Sequence, residues 1–431
     1  MDVVPVIRRT AAPVALVAAA TLVLVGCSSS AGGDDGGSEP LTVWFPGTSE
    51  PEIDLVTNTL VPQFEEEHDV EVDVTFVDWA DLAPKLNSAF AAGTAPDVFG
   101  HGPAAAADLV ANERVLDLTD YVSTLSEEDR DDLAASLIGG QVDGTQYLIP
   151  LSVSGQLVAY RADMLEDAGI DPSSLRTWDD VRAAADELTE KEGDTITRAG
   201  LLLGTAAIQR SISFNALISA AGGQLMDGTE VAFDSPEGVA ALEFFTELYA
   251  GDSAVGNNLG NDYLNSAAAQ QPLVTGDAAM TLLTSQAAMQ IAAAEPDLEI
   301  GVLPALSFMQ PAAFGGAGAG LFINADTEAT ELSWDFIEFM SSPEISTAYA
   351  EGTGNIPIRA SAAESEYVQS SRVLQAFLAE MPNFVPNPNV PSWTQIRDVL
   401  DAQLEQALAG VATPDAALKA AADQAAGIIG G

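Results

Sequence analysis

This chain of 431 residues has one cysteine, Cys27, only two histidines, and 15 Lys and Arg to set against 64 Asp and Glu. A lone cysteine excludes an internal disulfide framework and any cysteine-rich zinc centre. His68 and His101 have neither close spacing nor Cys partners, so no metal site is expected. A formal net charge of −49 repels nucleic acid and anionic lipid headgroups, which removes both as partners. The chain also lacks G-x-x-x-x-G-K-[ST], G-x-S-x-G and H-E-x-x-H. No ATP-binding loop, esterase elbow or zincin helix is expected, therefore, and no cofactor. Two uncharged runs are poor membrane spans: 278–294 carries five Ser, Thr and Gln side chains, and 300–325 is broken by Pro304, Pro311 and the glycines of "GGAGAG".

What is present begins at the N-terminus. Arg8 and Arg9 precede the uncharged run 11–25, then "LVGC" gives way to "SSSAGGDDGGS". A basic start, a short apolar stretch and small residues before the break are the parts of a secretory signal. The small residues before the thiol resemble a lipobox, in which the cysteine is acylated and becomes the new N-terminus. Residues 1–27 are read as a lipoprotein signal with Cys27 as its lipid anchor, and 28–40 as a flexible tether. The mature chain would then sit on the outer face of the cytoplasmic membrane. An acidic composition can also mean disorder, but 47% hydrophobic residues in periodic arrangement predict a folded protein, long enough for two domains.

Along that folded part the period alternates. "LTVWF" (41–45) reads as a buried strand, and Ile53, Val56, Leu60 and Phe64 recur at helical spacing. "VEVDVTFV" (70–77) alternates like a strand with one wet face, "WADLAPKLNSAFAAG" (79–93) reads as a helix closed by glycine, and "PDVF" (96–99) as a third strand. A β-α-β-α-β order predicts α/β architecture with a mostly parallel sheet. Further helices are expected within 171–188, 234–250, 333–344 and 393–410; in the last, Ile396, Leu400, Leu404 and Leu408 form the apolar stripe.

Taken in order, "LTVWF", "VEVDVTFVDWADLAPKLNSAFAAGTAPDVF", "IPLSVSGQLVAYRADML", "SAAGGQLMDG", "VTGDAAMTLLTS" and "GGAGAGLFINADTEATELSWDFIEFMSSPE" resemble extracellular solute-binding proteins of the carbohydrate-uptake class. These are the ligand-capturing subunits of ABC importers. "TGNIPI" and "SWTQIRDVLDAQLEQAL" look most like the glycerol-3-phosphate-binding branch. The resemblance implies an α/β, two-lobe, periplasmic-binding-protein-like fold (type II, maltose-binding-protein-like) with the ligand cleft between lobes. Carried over by segment, 41–150 plus 276–320 would form the N-terminal lobe and 151–275 plus 321–431 the C-terminal lobe. It also implies a monomer that closes on a carbohydrate or polyol and docks on ABC permease subunits in the membrane, without breaking a bond.

The residues expected at the cleft follow from that match. Trp79, after the second strand, offers a ring face for the C–H face of a sugar; its other reading is a helix-staple aromatic. Trp44 and Phe45 end the first strand, and alternation sends one of them into the core, leaving Trp44 as the cleft candidate. His101, between Gly100 and Gly102, would donate a hydrogen bond to a ligand oxygen, or is a solvated loop residue. Ser152 and Ser154 match the first inter-lobe crossing and Thr284 and Ser285 the second, where hydroxyls suit polyols. In the glycine run the Gly316 backbone N–H is a candidate contact, the alternative being a hinge. Arg397 matches the branch's "IR" pair and would fork onto phosphate or paired hydroxyls; otherwise it pairs with Asp401 one turn on. Three departures set glycerol 3-phosphate itself in question: Asn355 replaces a Tyr, an acidic residue near "HGP" is missing, and 206–213 lacks a Trp. A neutral sugar, an oligosaccharide, glycerol 3-phosphate and a glycerophosphodiester all stay open. An extracellular carbohydrate-active hydrolase is the competing class, since two carboxylates suffice for it.

Overall fold

A computed structural model describes residues 39–264 and 266–429. The signal, Cys27 and most of the tether lie outside the described residues. No described helix is long and apolar enough to cross a membrane.

The expected elements are present. Leu41–Pro46, Val72–Val77 and Val98–His101 are parallel strands, with Leu41–Pro46 in the middle of the three. Gly320–Ile323 adds antiparallel to Val98–His101, and Ile149–Pro150 adds to it, completing a five-stranded sheet. The helical run 50–68 contains a π-turn at Val56–Leu60, just ahead of Pro62, which has no N–H to give the preceding turn. Helix Trp79–Ala92 starts where the Asp78 carboxylate accepts the Ala80 N–H at 2.9 Å and stops at Gly93 with φ of 67°.

The second sheet holds seven strands. Its order is Phe384–Val385, Ala313–Ala317, Val153–Arg161, Ala278–Thr284, Thr195–Leu202 and Glu190–Glu192, with Ile300–Val302 also paired to Val153–Arg161. One face is covered by helices Trp178–Leu188, Gln209–Ala220, Pro236–Glu247, Trp393–Leu408 and Pro414–Ile429, whose apolar stripes meet Val158, Met280 and Leu282. Ile396, Leu400 and Leu404 are fully buried there, as their spacing predicts. A second core cluster runs beneath both sheets, from Phe45 and Phe64 to Leu157 and Phe377, and a third packs the Trp79–Ala92 helix onto Phe99 and Phe322.

The sheets divide the chain differently from the segment boundaries carried over by resemblance. Ala278–Thr284 pairs within the second sheet, antiparallel to Val153–Arg161 and parallel to Thr195–Leu202. Conversely, Thr330–Ser341 returns to the first sheet's side, where Phe336 packs edge-on against Phe64. Two strands cross between sheets side by side. The chain passes from Ile149–Pro150 to Val153–Arg161 through 151–152, and from Ala313–Ala317 to Gly320–Ile323 through 318–319. Leu151 N–H donates to Ala319 O at 2.9 Å and Gly318 N–H to Ser152 O at 2.8 Å, and Val153 N–H reaches Ile356 O at 3.0 Å. Two stretches of backbone thus join the lobes, and the chain at Ile356 is bonded to the first of them, in one hydrogen-bonded band.

Candidate functional site

The carboxyl ends of the three parallel strands of the first sheet open toward one region, the place where open α/β sheets bind ligands. Pro46 leads there into Gly47, Val77 into Trp79, and His101 into Gly102. Trp79 is 51% exposed, and its ring meets His101 edge-on with centroids 6.2 Å apart. Gly47 has φ of 102°, and a Cβ there would lie 3.3 Å from Trp79 Nε1, so the turn leaves room for the indole edge. Both aromatic rings line a cavity of about 430 Å³ with Asp108 on one side and Thr394, from the second sheet's Trp393–Leu408 helix, on the other. Residues from both lobes therefore meet around it.

His101 Nδ1 lies 3.3 Å from the Gly102 carbonyl. A carbonyl can only accept, so Nδ1 carries the proton and Nε2 is left as an acceptor in the neutral ring. Burial lowers the His101 pKa, against a smaller upward pull from that hydrogen bond, which keeps the ring neutral at pH 7. The expected donor is therefore an acceptor. Glu52 stands close by, its carboxylate taking the Tyr349 hydroxyl hydrogen bond; burial pushes its pKa up, and the Tyr349 hydrogen bond opposes that.

The other expected residues are placed less favourably. Phe45 is fully buried, stacked on Phe76, and Trp44 lies on the other face of the sheet, as alternation requires, half-buried against the third core cluster. Trp44, however, lines a shallow depression with Pro84, Lys85 and Ser88, on the opposite flank of the Trp79 helix from the cavity. Ser154 is exposed on the second-sheet side of the crossing, while Ser152 is buried against Gly318, where an added Cβ would lie 2.6 Å from its hydroxyl. Thr284 and Ser285 are not at a crossing. Thr284 caps helix Ser285–Ala294 by accepting the Ala287 N–H at 3.0 Å, and Ser285 is buried, because the second crossing lies at 318–319 instead. Gly316 is paired with Ser154 inside the sheet, with Pro386 3.2 Å from where its Cβ would be. The glycine run makes room for side chains: a Cβ on Gly155 or Gly315 would lie 2.4 or 2.6 Å from the Phe384 ring.

Arg397 pairs with Asp398, Nη2 to Oδ1 at 2.9 Å, and not with Asp401. Asp401 is taken by Arg210, at 2.6 Å with both side chains about nine-tenths buried, and also accepts the Ile208 N–H at 3.0 Å. Arg210 escaped the sequence reading; its signal was a cation inside an otherwise apolar and hydroxyl-rich helix, "QRSISFNALISA". With Thr205 O as a further acceptor at 3.0 Å, Arg210 ties the 205–209 loop to the Trp393 helix and so holds Thr394 and Arg397 in place. A strap over 386–392 was also missed. Asn389 Oδ1 accepts the Ala107 N–H at 3.1 Å and its Nδ2 donates to Gln141 O at 2.8 Å, while Ser392 N–H donates to Asp108 at 3.1 Å. Among the described residues no group of three or more His, Cys, Asp or Glu is arranged to hold a metal ion.

Two sheets joined by a hydrogen-bonded band, with aromatic and polar side chains gathered where the lobes meet, are the architecture of a two-lobe binding protein. Residues 59–376 match the family model for bacterial extracellular solute-binding proteins, and the chain belongs to that family. It is 25% identical over 360 residues to the sn-glycerol-3-phosphate-binding periplasmic protein UgpB of Escherichia coli K12, covering 78% of this chain and 80% of that one. The sugar-binding protein MalE of Xanthomonas citri superposes with a TM-score of 0.79 at 22% identity, covering 90% of this chain and 97% of that one. The cyclic α-maltosyl-1,6-maltose binding protein of Arthrobacter globiformis gives 0.77 at 24%, covering 91% and 99%. These likenesses bear out the maltose-binding-protein-like two-lobe fold and the expected class.

Proposed function

We propose that this chain is a lipid-anchored extracellular receptor that captures a sugar or polyol between its lobes and delivers it unaltered to an ABC permease. The observation that carries the reading is the cavity in which exposed Trp79 and neutral His101 of one lobe face Thr394 of the other. A flat apolar ring beside a hydrogen-bond acceptor suits a molecule with C–H faces and hydroxyl edges. Ser154 and Arg397 stand on the second lobe as further contacts, Arg397 after exchanging its Asp398 partner for ligand oxygens. Named sugar-binding and glycerol-3-phosphate-binding relatives support a small polar ligand and a transport role. Closure by the hinge band would present the ligand-loaded form to the permease.

The test is a thermal-shift panel of sugars, polyols, glycerol phosphates and glycerophosphodiesters on the full chain. A rise in melting temperature with one ligand, recovered intact afterwards, supports the receptor; turnover of the ligand supports the hydrolase instead. Trp79→Ala should weaken the binding by about tenfold or more, or ~1.4 kcal/mol, with little change in the unliganded melting point, since half of the ring is already in water. Cys27→Ser should move the protein from the membrane fraction to the medium; retention in the membrane would refute the anchor.

A further inference from the structure

The cavity at Trp79 continues away from the hinge as a groove between the Trp79 helix and the segment 101–114. Trp79, Ala83, Leu86 and Phe90 recur at three- and four-residue spacing, so one face of the helix forms its wall along the whole length. Phe90 comes eleven positions after Trp79, which makes the groove about 16 Å long. Its floor is apolar, but Asn87, Asp108 and Asn112 stand along the rim. At the far end the Arg114 guanidinium lies over the Phe90 ring, 5.2 Å from its centroid.

Arg114 is unlike the other buried or half-buried arginines. Arg210, Arg359 and Arg397 each grip a carboxylate, and half-buried Arg130 donates to the Ser123 and Leu125 carbonyls. Among the described residues, the Arg114 side chain has neither a carboxylate partner nor a hydrogen-bond acceptor, although acidic side chains outnumber basic ones 64 to 15 in the chain. Phe90 holds the guanidinium from one face and leaves its N–H edge for something else.

We propose that this groove is an extension subsite for the distal units of a linear oligosaccharide whose first unit lies at Trp79, with Arg114 as the terminal anchor. The inference rests on the receptor reading above. A single sugar or a glycerol phosphate occupies the Trp79 end alone and leaves the far end unused. An alkyl chain matches the floor but strips water from Asn87, Asp108 and Asn112 without replacing their hydrogen bonds. A chain of sugar rings matches both, laying C–H faces on the floor and hydroxyls against the rim. Arg114 then gives paired N–H groups to two oxygens of the last ring, either adjacent hydroxyls or the carboxylate of a uronate unit. A cavity of about 430 Å³ is in the range for ligands larger than one ring.

Calorimetry on the full chain tests this with three probe series, each from one to six units: malto-oligosaccharides, xylo-oligosaccharides and oligogalacturonates. In at least one series, affinity should rise about tenfold or more from the single unit to the longer probes. Arg114→Ala should abolish that gain while leaving single-unit affinity as in the parent, with the melting temperature lowered only by the loss of one guanidinium–ring contact, and Arg114→Lys should restore part of the gain. A gain confined to the oligogalacturonates and weakened by salt assigns the carboxylate; a salt-insensitive gain with the neutral series assigns hydroxyls. Single units that bind with no benefit from elongation, or an Arg114→Ala loss equal for all lengths, would overturn the extension subsite and leave the receptor standing. No binding of any saccharide, single or extended, would defeat both.

Discussion

Asp401 shows how one carboxylate can matter more than its neighbours. It is buried against Arg210 and also holds the Ile208 N–H, so its removal strands a guanidinium away from water. Asp401→Ala should cost about 3–5 kcal/mol in chemical denaturation, whereas Asp398→Ala, at the surface, should cost under ~1 kcal/mol. A small Asp401 effect would mean that Arg210 finds another acceptor. Glu52 makes the opposite case. Its pKa is raised, so the folded state binds more protons than the unfolded one between the two pKa values, and stability falls as pH rises through that window. The cost is absent below the ordinary glutamate pKa and is reached in full above the raised one. Glu52→Gln, which can still accept from Tyr349, should therefore raise the melting temperature at pH 7 and leave it unchanged near pH 3. A lower melting temperature at pH 7 would show that the charge on Glu52 stabilises the fold. At this scale the resemblance pointed to Trp79 and His101, and the fold places both at the carboxyl edge of the parallel strands. The sequence could not name Arg210 or Asn389, whose partners are 191 and 248–282 residues away.

Among the elements, the two crossing strands are set by how closely backbone approaches backbone and ring. Gly155 and Gly315 lie opposite each other under Phe384, and Gly318 under Ser152. Gly155→Val should push the Phe384 ring off the strand pair and cost about 1–3 kcal/mol, and Phe384→Ala in the same chain should recover part of that loss. Strictly additive losses would show that the ring and the glycine do not compete for the same space. The helices were legible because their stripes repeat, as Ile396, Leu400 and Leu404 do, and so were the first strands. The place of Ala278–Thr284 was not legible: an apolar strand carries no mark of which sheet it joins, and pairing with both Val153–Arg161 and Thr195–Leu202 decides it. Thr284 went with it, from an expected ligand contact to a helix cap.

For the molecule as a whole, a net charge of −49 sets up a standing repulsion among its acidic side chains. Raising sodium chloride from low to physiological strength should lift the melting temperature, with most of the gain complete once the Debye length falls to about 8–10 Å. A flat response would show that the acidic side chains are spaced too widely to repel. The 386–392 strap joins the second lobe to Ala107, Asp108 and Gln141 of the first, so Asn389→Ala should favour the open form, seen as a larger radius of gyration in solution scattering without ligand. An unchanged radius would remove the strap from the closure mechanism.

By itself the amino-acid sequence determined the α/β class and the amphipathic helices, which depend on periodicities of two and 3.6 residues and are therefore local properties; Trp79 and His101 became cleft candidates through the resemblance to solute-binding proteins. Only the tertiary structure decided which sheet each late strand enters, that Arg397 pairs with Asp398 while Asp401 is taken by Arg210, and that Arg114 ends a groove with its donors unspent. Those outcomes are contacts between segments far apart in the chain, and burial and hydrogen-bond geometry choose among partners that local pattern leaves equivalent.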